Sequence, residues 1–171
     1  MLSRKTRRAT PTAREILTLL DGALEFGAKG DIDQLAQAVT TADRLLRGDA
    51  GQLCMADNHQ LTSAMTSRID QLDAIVSTYE QSIEKSAVLQ TESSEHAMQE
   101  IIRAKDAIWE LRHDRIRTAK LVDALAGQGA SESARKGYFS IQQAFSGLDR
   151  LEVRGRDSAG IHVLVSNHGL K

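Results

Sequence analysis

The chain has 171 residues, 41% of them hydrophobic and 4% aromatic, with 22 basic against 23 acidic side chains for a formal net charge of −1. That length suits one ordinary domain, and the balanced charge gives no overall drive toward nucleic acid or an acidic surface. A lone cysteine, Cys54, excludes an intrachain disulfide and points to a reducing, cytoplasmic setting, and no apolar run approaches the ~18 residues that a membrane span needs.

Residues 1–10 form a basic leader: Arg4, Lys5, Arg7, Arg8 and Arg14 all precede the first acid, Glu15. Such a stretch can be a transit peptide, a nucleic-acid arm or a partner-binding tail, but a frayed, solvated terminus is the simplest reading. Thr10-Pro11 is a good helix start, with Thr12 and Glu15 offering a competing capping box. Ile16, Leu19, Leu20, Ala23 and Leu24 then recur at helical spacing, and Gly27 and Gly30 are expected to end that helix. Asp31 caps a second stripe of Ile32, Leu35, Val39, Ala42, Leu45 and Leu46, closed by Gly48-Asp49-Ala50-Gly51. Residues 11–50 therefore predict a short helical hairpin.

From residue 57 to 126 the pattern is long helix. Leu61, Met65, Ile69, Leu72, Ile75 or Val76, Tyr79 and Ile83 recur at three- and four-residue steps until the polar patch Thr91-Glu92-Ser93-Ser94, where either serine can cap a new helix. Beyond it Ile101, Ala104, Ile108, Leu111, Val122 and Leu125 fit a seven-residue repeat, interrupted at its seam by Arg115 and Thr118. Two helices of roughly thirty residues span ~45 Å each and predict an antiparallel, coiled-coil-like pair or a bundle, with a surface for self-association. Gly127-Gln128-Gly129 breaks the run, and Ser131 is placed to cap a last helix with Tyr138, Ile141, Phe145, Leu148 and Leu151 on its apolar face. Ile161-His162-Val163-Leu164-Val165, apolar on both faces, reads as a strand. The chain has no other strand to pair with it, so it either pairs with another chain, belongs to a sheet whose remainder lies outside residues 1–171, which is the favoured expectation, or is disordered or recruited into helix.

The stretch Leu148-Asp-Arg-Leu-Glu-Val-Arg-Gly-Arg-Asp-Ser-Ala-Gly-Ile161 resembles the first helix, turn and strand of class II glutamine amidotransferases, in particular the glutamine–fructose-6-phosphate aminotransferase (glucosamine-6-phosphate synthase) family. The likeness covers Phe139 to Val165 and makes residues 131–171 an incomplete amidotransferase-like helix–turn–strand. It implies a glutamine-dependent transferase acting on glutamine and a sugar phosphate, within a longer protein and with this chain inactive alone. By match, Arg154, Gly155, Asp157, Ser158 and Gly160 inherit the turn that orders the glutamine pocket: Gly155 for backbone freedom, Arg154 and Asp157 for ion pairing, Ser158 and Gly160 for close packing. Val153 and Arg156 stand where the family usually has tyrosines. The family's nucleophile is an N-terminal cysteine whose own α-amino group is the base. Met1 is followed here by Leu2, and the one thiol, Cys54, lies far upstream of Arg154, so Cys54 is a weak candidate that needs cleavage after Leu53. An inert, buried thiol is the better reading.

Other constellations carry less. His59, His96, His113, His162 and His168 are scattered, with no metal-ligand spacing, and no cofactor is implied. Glu110, His113 and Asp114 sit on one helix as charged faces routinely do. Arg112, Arg115, Arg117 and Lys120 form a basic run without aromatics, read as a solvated or intersubunit face rather than a nucleic-acid site. Trp109, beside Ile108 and Leu111, is expected in core or interhelical packing.

Overall fold

The computed structural model describes residues 10–86, 92–152 and 160–164. They form helices α1 (Ala13–Lys29), α2 (Ile32–Leu46), α3 (Asp49–Met55), α4 (His59–Ser86), α5 (Glu92–Glu110), α6 (Arg117–Ala126) and α7 (Glu132–Glu152), with a π-helical turn, Leu111–Ile116, joining α5 to α6. The protein is mainly α, as its composition predicts.

The capping signals resolve in favour of Thr12. Its hydroxyl accepts from the Glu15 amide while the Glu15 carboxylate accepts from the Thr12 amide, at 3.2 and 2.7 Å, so two orphan donors of the first turn are satisfied reciprocally. That exposed carboxylate is held below its ordinary range by the same backbone and hydroxyl bonds. Gly27 lies inside α1, not at its end. The helix stops at Gly30, whose left-handed backbone (φ 83°) returns its amide to the Gly27 carbonyl at 3.1 Å.

Helices α1, α2, α5 and α4 close into a four-helix ring, each packed on its two neighbours. The α4–α5 pair is antiparallel: Lys105 meets Glu80, and Arg112 meets Asp73 and Asp70, so numbers fall on one helix as they rise on the other. The α1–α4 and α2–α5 seams are parallel. Asp21 pairs with Arg68 and Gly27 accepts from the Tyr79 hydroxyl, while Asp33 meets His96 and Asp43 meets Arg115. Ile16, Leu20, Leu35, Val39, Leu46, Met65, Ile69, Leu72, Ile101 and Ile108 are fully or almost fully buried between them. These are the stripes read from periodicity; burying that many large side chains, at ~1.5–3 kcal/mol each, is the main drive for folding. The expected two-helix coiled coil is thus half of a bundle, its second apolar flank covered by the α1–α2 hairpin.

Four expectations need correction. The sequence Gly48–Gly51 is not a plain turn: α3 starts within it, and Gly51 packs directly on the end of α2. Leu125, expected in the α5–α6 seam, is 51% exposed, because burial passes after the π-turn to Ile116, Thr118, Ala119 and Val122. Trp109 lies outside the core, 48% exposed and stacked on His113 with ring centroids 4.6 Å apart. Gly160–Leu164 lie outside any regular element, and the described residues contain no strand; Val165 falls outside them. Local β-branched character alone does not make a strand when no neighbour supplies the ladder.

Candidate functional site

The most organised polar feature lies where α2 faces the π-turn. An extra residue per turn is accommodated there, with the Arg117 amide bonded to the Arg112 carbonyl five residues back. Asp43, 1% exposed, points into this turn from the last turn of α2. Its two oxygens divide their work: Oδ1 accepts from Arg115 Nε and Oδ2 from Arg47 Nε, each at 2.9 Å. Glu110 completes a four-member cluster by accepting from the same arginines at 2.6 and 3.4 Å. Two carboxylates and two guanidiniums alternate in space, which is how buried charge is kept tolerable.

The consequences for proton affinity follow. Hydrogen bonding to Asp43, with its charge, raises the Arg47 pKa further. Burial first, then the neighbouring Asp43 carboxylate, lifts Glu110 above its ordinary 4.5 against the pull of Arg47. A carboxyl that binds its proton more tightly when folded contributes most to stability below its unfolded pKa and loses that contribution as pH rises through the folded value. Glu110→Gln is therefore expected to flatten the decline of the urea midpoint from pH 4.5 toward neutrality. An unchanged pH slope in the variant contradicts this assignment.

Of this cluster, Arg115 also lines a polar cleft of about 200 Å³ between the end of α2, α3, the π-turn and α7. Gln52, Asp114, Thr118, Phe139, Gln143 and Ser146 line it as well. The sequence reading missed this assembly, since Arg115 registers as a flaw in the heptad and as one member of a basic run, and Asp43 is not singled out at all. The available signal was the pairing itself, an acid beside the α2 stripe and a base within the α5–α6 seam.

A second cluster fixes α7. Arg135, buried, binds Asp57, Asp123 and the Gly127 carbonyl. Asp57, in left-handed backbone (φ 52°), gives its amide to Asp123. Arg135 and Phe139 are the buried residues of α7. The apolar stripe predicted for this helix lies elsewhere on its surface: Tyr138, Ile141 and Leu148 are half-buried and Phe145 is 49% exposed.

Of the residues singled out from sequence, Arg154, Gly155, Asp157 and Ser158 lie outside the described residues. Gly160 is exposed and outside regular structure. Cys54 sits in α3, half-buried against the core. Burial and, secondarily, the Glu15 charge push its thiol pKa up, the opposite of what activates a thiolate nucleophile. The basic run divides: Arg112 reaches Asp70 and Asp73 on α4, Arg115 turns inward, and Arg117 and Lys120 are exposed. Among the described residues no three His, Cys, Asp or Glu side chains converge as a metal site, and no helix is long and apolar enough to cross a membrane.

No protein-family model matches the chain, and no curated protein or solved structure was found to be similar to it.

Proposed function

We propose that the chain is the helical N-terminal portion of a glutamine amidotransferase/aminotransferase-like protein, in which the bundle supports the transferase segment without catalysing anything itself. The observation that carries this reading is α7. It is anchored to α6 and to the α3–α4 turn through Arg135, yet on its apolar stripe Phe145 is 49% exposed and Tyr138, Ile141 and Leu148 are only half-buried, in the residues that precede the Arg154–Gly160 motif. A helix with an open apolar stripe beside such a motif is what a helix covering an amidotransferase sheet requires. The Asp43–Arg47–Glu110–Arg115 cluster supports a structural role for the bundle, because its two acids and two bases neutralise one another. The expected result in an ammonia-release assay with glutamine is no activity from this chain. The whole product of its gene is expected to be active, and equally so with Cys54→Ala. Activity of the chain that disappears with Cys54→Ala overturns the reading.

A second reading, a helical module for self-association or partner binding, is favoured by a different observation. Ile102, Trp109, Leu121 and Leu125 are 40–52% exposed along α5 and α6, four large apolar side chains on one helical stretch where a solvated face needs none.

A further inference from the structure

We propose that the outer face of α5–α6 pairs with the same face of a second copy of this chain, the two helices antiparallel about a twofold axis near Leu111 and Arg112. The proposal rests on the second reading above and names its partner. The face runs Ile102, Asp106, Trp109, His113, Arg117, Leu121 and Leu125, all exposed except the half-buried His113. After Trp109 these residues recur every fourth position. In a straight α-helix each such step drifts by about 40°, which would carry Leu121 and Leu125 round to the flank. The π-turn, by fitting an extra residue into its turn, removes that drift and keeps both halves of the stripe on one side.

The order of residues along this face is self-complementary only when reversed. Ile102 and Leu121 lie at equal distances on either side of the proposed axis, as do Asp106 and Arg117. Antiparallel pairing therefore sets Ile102 against the second copy's Leu121 and Asp106 against the second copy's Arg117, with the two Trp109–His113 stacks meeting at the centre. Parallel pairing sets Asp106 against Asp106 and Arg117 against Arg117, which repel. An aromatic centre flanked by apolar and then charged positions also matches the anatomy of interface cores. One helix face falls short of the ~800 Å² per partner of a standard interface, so an affinity on the order of 10 μM is expected.

Sedimentation of the full chain from ~1 to ~100 μM is expected to show a reversible monomer–dimer equilibrium centred near that affinity. Asp106→Arg and Arg117→Asp are each expected to weaken the dimer about tenfold, and together to restore it, because the opposed charges are exchanged. In a Cys54→Ser background, oxidation is expected to cross-link chains carrying Ile102→Cys to chains carrying Leu121→Cys, rather than either to itself. A monomer throughout, non-compensating charge swaps, or Ile102→Cys self-linkage overturns the pairing. Acrylamide quenching of Trp109, the sole tryptophan, separates this failure from failure of the module reading. If the chain is monomeric but Trp109 is shielded in the whole gene product, the twofold pairing falls and the module stands. If quenching is full in both, both readings fall. The ammonia-release test is independent of either result.

Discussion

Arg115→Met is expected to lower the unfolding free energy by about 3 kcal/mol, the scale set by removing one partner of a buried ion pair. Asp43 is 1% exposed and lies between two arginines, of which only Arg115 is itself mostly shielded from water, with 14% of its side chain exposed. Losing it leaves Oδ1 without its donor, and Arg47, whose side chain is 55% exposed, holds only the other oxygen. Methionine keeps most of the volume and removes the charge, so the loss measures electrostatics and not a cavity. Adding Asp43→Leu is expected to recover most of the stability, since a pair replaced jointly by apolar groups leaves no stranded charge. Urea unfolding of the wild type, both singles and the double provides the cycle. Equal losses in the single and the double variants contradict the account.

Gly51→Ala is expected to cost a similar amount, about 3 kcal/mol, for a steric reason. A methyl group built at Gly51 falls 1.9 Å from the carbonyl oxygen of Leu46, 2.3 Å from its carbonyl carbon and 2.5 Å from its Cα. All three are backbone atoms at the end of α2, so no side chain can swing aside and α3 must lift off. At this chain length the loss corresponds to a fall of roughly 10 °C in Tm, measured by circular dichroism. Gly48→Ala is the control. Its backbone (φ 77°, ψ −163°) is one that glycine alone adopts readily, but nothing lies within 4 Å of the added carbon, so it meets conformational strain alone and is expected to cost about 1–2 kcal/mol. If the two variants melt alike, the close approach of α3 to α2 is not what fixes glycine at position 51.

These two sites mark where the sequence is opaque. The stripes of α1, α2 and α4 are legible because burial follows the 3.6-residue period at Ile16, Leu20 and Ala23, at Leu35, Val39, Ala42 and Leu46, and at Leu61 through Val76. The capping of α1 by Thr12 and of α7 by Ser131 is legible for the same local reason. Gly48–Gly51 reads as a turn because two glycines in four residues usually make one, and only packing on Leu46 explains the second as a helical residue. Arg115 reads as a flaw in a heptad because its partner, Asp43, lies 72 residues away in sequence. Periodicity likewise identifies an apolar face without saying what covers it. The faces of Trp109 and Phe145 were both predicted to pack, and neither residue is covered. The same limit applies to Ile161–Leu164, where β-branched composition indicates a preference and not a ladder partner.

The parallel seams give the bundle a dynamic character. Each antiparallel hairpin, α1 with α2 and α4 with α5, joins neighbours in sequence, whereas the contacts stitching the two hairpins together, Asp21–Arg68, Gly27–Tyr79, Asp33–His96 and Asp43–Arg115, bridge 47 to 72 residues. Loop-closure entropy penalises such distant contacts more than those within each hairpin, so the hairpins are expected to form before they dock. The least costly large-amplitude opening is then a parting of one hairpin from the other, hinged at the α2–α4 connection, which begins at the remote Asp33–His96 end and reaches the Asp43 quartet, beside the hinge, last.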